Sequence, residues 1–123
     1  MTVAESLGAE AVGFNCGLGP EQMLSLLPEL RAAAGVPLAF NPNAGLPVVV
    51  DGQTQFRVSP EDFAAAARKL AEGGAALLGG CCGTTPAHIA ALKEAAAGIY
   101  PPPARATGRT VICSCLLYTS RCV

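Results

Sequence analysis

Apolar positions along the 123-residue chain alternate between short buried runs and stretches with helical spacing. Ala11-Val12-Gly13-Phe14 reads as a strand running into Asn15-Cys16. Met23, Leu24, Leu27 and Leu30 then form a helical stripe, with Pro20 in the first turn and Gly35 past the end. Pro28 lies inside that helix, removes a backbone donor and predicts a kink. Residues 36–40 form the next strand. A second helical face follows in Phe63, Ala66, Ala67 and Leu70, opened by Ser59 as cap and stopped by Gly73-Gly74. Residues 75–78 read as a third strand. In the last helix Thr85 is the cap, Pro86 sits in the first turn, and Ile89, Leu92 and Ala96 face inward. Ahead of all this, residues 2–7 look like the end of a helix stopped by Gly8.

Three successive strand–helix units predict an α/β fold with a parallel sheet. Three strands leave both sheet edges unpaired, and a closed eight-fold barrel takes ~250 residues. The pattern therefore reads as the back portion of a larger domain. Residues 41–57 are long for a strand-to-helix connection, which marks a functional loop. Inside that loop Asp51-Gly52, flanked by the Val48-Val49-Val50 run and residues 53–56, predicts a short hairpin.

Composition narrows the picture by exclusion. The apolar fraction is 51%, but Ala and Gly supply much of it and Trp is absent, so close helix–sheet packing is expected rather than a large aromatic core. The net charge of −1 and scattered Lys and Arg give no surface for a polyanion, which argues against nucleic-acid binding. No apolar run approaches the ~18 residues of a membrane span. The first eight residues lack a basic start and an apolar signal stretch, so export is not expected.

Six cysteines in a small exported chain would suggest disulfides. Here Cys81 and Cys82 are adjacent, an awkward geometry for a disulfide. Cys113, Cys115 and Cys122 sit in an end of different character, which follows the Pro101-Pro102-Pro103 linker and has no amphipathic period; we assign them no role. A cytoplasmic, reduced protein that uses cysteine for chemistry is the expectation.

Cys16, Cys81 and Cys82 all fall just past the C-terminal ends of expected strands, the edge where parallel α/β proteins build their sites. An internal echo, C-G-x-x-P at Cys16 and again at Cys82, places the two motifs alike between a strand and a helix. Three thiolates suit zinc at ~2.3 Å and leave a fourth tetrahedral position open. Gly79, Gly80 and Gly83 make the necessary backbone turn sterically inexpensive. Spacing alone supports equally a second reading, that Cys81 and Cys82 are small buried residues. Asn15 and Asn41, at neighbouring strand ends, are candidates for orienting a ligand or bonding an amino-acid substrate. Asn43 reads as a loop former that satisfies its own backbone. His88, beyond Pro86, reads as a solvated helix residue rather than a ligand.

These motifs carry a resemblance. Gly13-Phe14-Asn15-Cys16-Gly17 with Gly19-Pro20-Glu21-Gln22-Met23, then Asn41-Pro42-Asn43-Ala44-Gly45-Leu46-Pro47, then Gly79-Gly80-Cys81-Cys82-Gly83-Thr84-Thr85-Pro86-Ala87-His88-Ile89 resemble, in order and spacing, the signature of homocysteine S-methyltransferase domains. The resemblance covers roughly residues 3–98 and implies that residues 1–98 are the last three strand–helix units, strands six to eight, of a (β/α)8 TIM barrel. Residues 99–123 lie outside it and are read as a linker and tail, disordered or foreign to the family.

The resemblance implies Zn2+ held by Cys16, Cys81 and Cys82, with homocysteine and a methyl donor as partners. Homocysteine's thiol, protonated at neutral pH with a pKa near ~8.5 by analogy with cysteine, would be held as a thiolate and attack an activated methyl group to give methionine. Relatives take that methyl from cobalamin charged by a folate, from betaine or from S-methylmethionine. The Asn15 and Gln22 context resembles the cobalamin- and folate-linked branch, in which further domains of a longer parent chain take part. The absent strand–helix units imply little activity for these residues alone. Two rival readings are a non-catalytic zinc-binding fragment and a redox switch of Cys81 and Cys82.

Overall fold

A computed structural model of the chain describes residues 1–103, 111–112 and 120–121. In chain order the elements are α1 Thr2–Ser6, β1 Val12–Asn15, α2 Pro20–Ala33, β2 Leu38–Asn41, β3 Val48–Val50, β4 Gln53–Gln55, α3 Pro60–Glu72, β5 Ala75–Leu78, α4 Pro86–Ala95, β6 Val111–Ile112 and β7 Ser120–Arg121. The expectations for Cys113, Cys115 and Cys122 lie outside the described residues.

The three expected strands pair in the order β1-β2-β5, all parallel. Gly13 faces Ala39, which in turn faces Leu77; Asn15 faces Asn41. A register irregularity between Leu38 and Ala39 shifts β5 by one residue relative to β2. Parallel neighbours need a crossover to return the chain to the starting edge, and α2 and α3 supply the two crossovers.

Those helices bury their predicted faces. Val12, Met23, Leu27, Leu30, Ala34, Leu38, Phe40, Leu70 and Ala75 form the main core between α2, α3 and the sheet. Phe63, Ala67 and Leu92 form a second cluster where α3 meets α4. Because side chains alternate across a strand, the other sheet face carries Gly13, Ala39 and Leu77, and Leu77 is 55% exposed. That face has no helix over it among the described residues.

Local rules account for most boundaries. Pro20, Pro60 and Pro86 each open a helix, where a missing backbone N–H costs nothing. The Ser59 hydroxyl accepts from the Asp62 N–H at 3.1 Å, capping α3. Asp51 (φ 50°) and Gly52 (φ 74°) make the two-residue turn joining β3 to β4, as expected of that dipeptide. Helix α2 runs continuously through Pro28, which lies on its exposed side.

Two expectations for α4 fail. Ile89 is 42% exposed rather than inward-facing, and His88 is 6% exposed rather than solvated. The packed face of α4 is the His88–Leu92 stripe at i, i+4, because Phe63 on α3 takes the imidazole edge-on at 5.5 Å between ring centroids. A single polar residue turned toward the core rotates the helix away from the face its aliphatic residues suggested.

Candidate metal centre

Strand β1 ends at Asn15, and Cys16 follows in a left-handed conformation (φ 64°) that non-glycine residues seldom adopt. The Cys16 N–H donates to the Asn41 carbonyl at 3.0 Å, so sheet pairing continues one residue beyond the strand and fixes where the thiol emerges. On the far side, Gly79 follows β5 with its N–H on the Phe40 carbonyl at 3.0 Å. A Cβ at Gly79 would meet the Asn41 side-chain oxygen, so any larger residue there would displace the Asn41 amide from the end of the sheet. The Cys81 N–H then donates to the Pro42 carbonyl at 2.8 Å, and the Thr84 N–H returns to the Cys81 carbonyl at 3.1 Å, closing a turn around Cys82.

This folding brings the three expected thiols together. Cys16 Sγ lies 3.6 Å from Cys82 Sγ, and Cys82 Sγ lies 3.9 Å from Cys81 Sγ. All three sulfurs fall within 4.8 Å of one another. All are free thiols, half-buried at Cys16 and Cys81 and exposed at Cys82. A tetrahedral zinc with Zn–S bonds of ~2.3 Å sets its sulfurs about 3.8 Å apart. The thiols therefore stand close to the spacing such an ion requires, with a solvent-facing side left for a fourth ligand.

Asn43 does more than occupy a loop. It is 3% exposed, and its side-chain oxygen accepts from the Cys82 N–H at 3.1 Å. Sequence reasoning passed over it because a buried, tertiary role for Asn after Pro42 looks the same in the chain as an ordinary turn. Asn15 is exposed and Asn41 half-buried at the same sheet edge, side by side in register.

The thiols are electrostatically unequal. The Gly17 backbone N–H, then the thiols of Cys82 and Cys81, stabilise the Cys16 thiolate and hold its pKa below the usual thiol value, with Asn43 adding to the effect against the opposing pull of burial. Cys82 is pushed up to about 11 because its thiol donates to Cys16 and Cys81, whose charges also oppose another anion there. A divalent cation reverses that repulsion, since metal-bound thiols are deprotonated.

A pH dependence follows. Cys82 holds its proton through neutrality and must release it on coordination, so metal affinity rises with pH rather than falling. Through neutrality the logarithm of the cobalt affinity should climb with pH by at least one proton per ion, the one that Cys82 gives up. A flat profile in a competition titration would exclude thiolate coordination. Because Cys113, Cys115 and Cys122 are also potential ligands, this titration uses a chain in which those three are serine.

A parallel α/β sheet carries three thiols converging at the carboxyl edge of its strands, a donor set whose chemistry suits a soft divalent cation. The chain belongs to the homocysteine S-methyltransferase family, whose profile matches residues 1–96. It is 40% identical over 121 residues to a methionine synthase of Mycobacterium tuberculosis, an alignment covering 98% of this chain and 10% of that relative. A methionine synthase of Mycobacterium leprae is 41% identical over 100 residues, covering 80% of this chain and 8% of the relative. The chain thus spans about a tenth of the length of the curated relatives it matches.

Proposed function

We propose that residues 1–98 are the last three strand–helix units of a (β/α)8 barrel that transfers a methyl group to the thiol of homocysteine, forming methionine. The observation that carries this reading is the cluster of Cys16, Cys81 and Cys82 thiols within 4.8 Å at the strand ends. Family membership supplies the reaction class. The uncovered row of Gly13, Ala39 and Leu77 has the character of an inward-facing barrel layer awaiting the rest of the ring.

In this reading Cys16, Cys81 and Cys82 hold Zn2+, which supplies Lewis acidity and a fixed place for the substrate sulfur. The protein's own contribution is positional. Backbone hydrogen bonds to Asn41, Pro42 and Ala44, with the Asn43 side chain, set the three sulfurs before any ion arrives. Asn15 and Asn41 stand where they can bond the amino-acid end of homocysteine. The methyl donor, through a cobalamin or a folate carried by other parts of a longer parent chain, approaches from the exposed Cys82 side. Residues 99–123 act as a linker and tail outside the barrel. Thiols held this close and unbridged suit a reducing, cytoplasmic setting.

X-ray absorption of the zinc-loaded chain, with the three tail cysteines changed to serine, tests the proposal. Three sulfur neighbours are expected alone and four with excess homocysteine. A count that stays at three with homocysteine in large excess overturns the assignment of the open position. The same chain should form no methionine above background, because five strand–helix units of the pocket are not among these residues.

A further inference from the structure

The buried His88 is not part of the thiol cluster, yet every polar atom of its ring is engaged. Thr85 N–H donates to Nδ1 at 3.2 Å, and the Thr85 hydroxyl lies 2.8 Å from the same nitrogen. On the other side of the ring, Nε2 lies 3.0 Å from the Val58 carbonyl. A carbonyl only accepts, so Nε2 carries the proton and Nδ1 is the acceptor. One tautomer satisfies both sides.

Following the bonds outward from Val58 leads back to a thiol. The Val58 N–H donates to the Ala44 carbonyl at 3.1 Å, and the Ala44 N–H donates to the Cys82 carbonyl at 2.9 Å. Asn43, next to Ala44, takes the Cys82 N–H. Cys82 is three residues before Thr85, so the path closes on itself: Cys82, the start of α4, His88, Val58, Ala44, Cys82. Backbone bonds make up all of this ring except the step across the imidazole. Gly83 adds a steric reason for the closure. Its backbone (φ 77°) presses against the Phe56 ring two residues before Val58, leaving no space for a Cβ.

We infer that His88 is the positioning residue of the metal centre, clamping residues 56–58 to the start of α4 so that Cys82 Sγ is held against Cys16 and Cys81. The inference rests on the metal-site reading above, but its geometric content, the placement of Cys82, exists without metal. Metal–ligand distances tolerate only about ±0.2 Å. Cys82 is the most exposed of the three thiols, so its place depends on how its backbone is held.

The test uses the full chain with Cys113, Cys115 and Cys122 as serine, and two substitutions. His88→Asn keeps an acceptor near the Nδ1 position for Thr85 but cannot reach Val58. His88→Gln extends an amide N–H to the place of Nε2 and restores that bond. In metal-free protein also carrying Cys81→Ser, a short dithiol cross-linker such as dibromobimane reads the closeness of Cys16 and Cys82. His88→Asn should slow that cross-link several-fold, and His88→Gln should recover most of it.

In cobalt-loaded protein, His88→Asn should weaken binding by ~10–100-fold, the usual effect of losing an outer partner of a metal site, and alter the thiolate-to-cobalt bands. Unchanged cross-linking in a folded His88→Asn chain overturns the inference, as does a lower melting temperature with cobalt affinity and spectrum intact. If cobalt gives no thiolate bands in any variant while cross-linking still depends on His88, the metal reading fails and the clamp stands.

Discussion

Replacing Cys16 with serine is expected to weaken metal binding by about 10²–10³-fold while leaving the fold in place. Structural zinc sites with four protein ligands bind with apparent free energies of ~10–16 kcal/mol, so one thiolate accounts for roughly 2.5–4 kcal/mol. Cys16 is half-buried at a strand end, makes no core contact and keeps its backbone bond to Asn41 whatever its side chain. A serine at this position therefore costs little in stability. Cobalt absorption, with circular dichroism alongside, separates the two effects: the thiolate bands should collapse while the helical signal persists. The same loss is expected for Cys81→Ser and Cys82→Ser, because the proposed site draws one ligand from the first motif and two from the second. The redox-switch reading predicts something different, oxidation of Cys81 and Cys82 that ignores Cys16. The shortest thiol contact runs from Cys82 to Cys16 and not to its neighbour, which favours a three-thiol unit.

Changing Gly13 to valine should unfold the chain. Gly13 pairs with Ala39 in the β1–β2 ladder, and a Cβ placed on it would fall among the Ala39 backbone atoms, with the carbonyl carbon at 2.6 Å and the nitrogen at 2.8 Å. No side-chain rotation relieves that overlap, because the obstacle is main chain held in the centre of a three-stranded sheet. The strands would have to separate, exposing Val12, Leu38 and Phe40 from the main core. Small domains have ~5–15 kcal/mol of stability in total, and losing one ladder with its core contacts consumes much of the lower part of that range. Thermal or urea unfolding should show no cooperative transition for Gly13→Val, and metal binding should vanish with it, since Cys16 is placed by the same strand. A variant that melts within a few degrees of the parent would show that β1 can shift without cost. Contrasting Gly13→Val with Cys16→Ser thus divides loss of site with the fold from loss of site alone.

The sequence by itself determined the elements from α1 to α4 and which three cysteines follow their strands, but not the short β6–β7 pair. Apolar spacing gave the faces of α2 and α3 because a helix period of 3.6 residues leaves a readable stripe. Pro20 and Pro86 at their helix starts and the Asp51-Gly52 turn were legible because they act through their own backbone angles, without help from distant residues. Cys16, Cys81 and Cys82 were singled out because all three follow strands, and parallel strands deliver their ends to one edge.

Other features depended on partners far along the chain, and only the tertiary structure decided them. The sequence places Asn43 in a loop; that it is buried against Cys82 depends on how that loop crosses the end of β5. His88 is a polar residue in a first helical turn until Phe63 and Val58 arrive from another element and enclose it, which also turns Ile89 outward. Gly13 looks like a strand interruption, yet the Ala39 backbone of β2 lies where any Cβ on it would stand. The Gly17 N–H next to Cys16 does most to lower that thiol, but Cys82 is raised because sulfurs 66 residues apart come within hydrogen-bonding reach. Local patterns fix where the chain turns and which face is apolar; contacts between remote segments, whose energies no local pattern records, decide which polar groups are buried together and therefore what the site can hold.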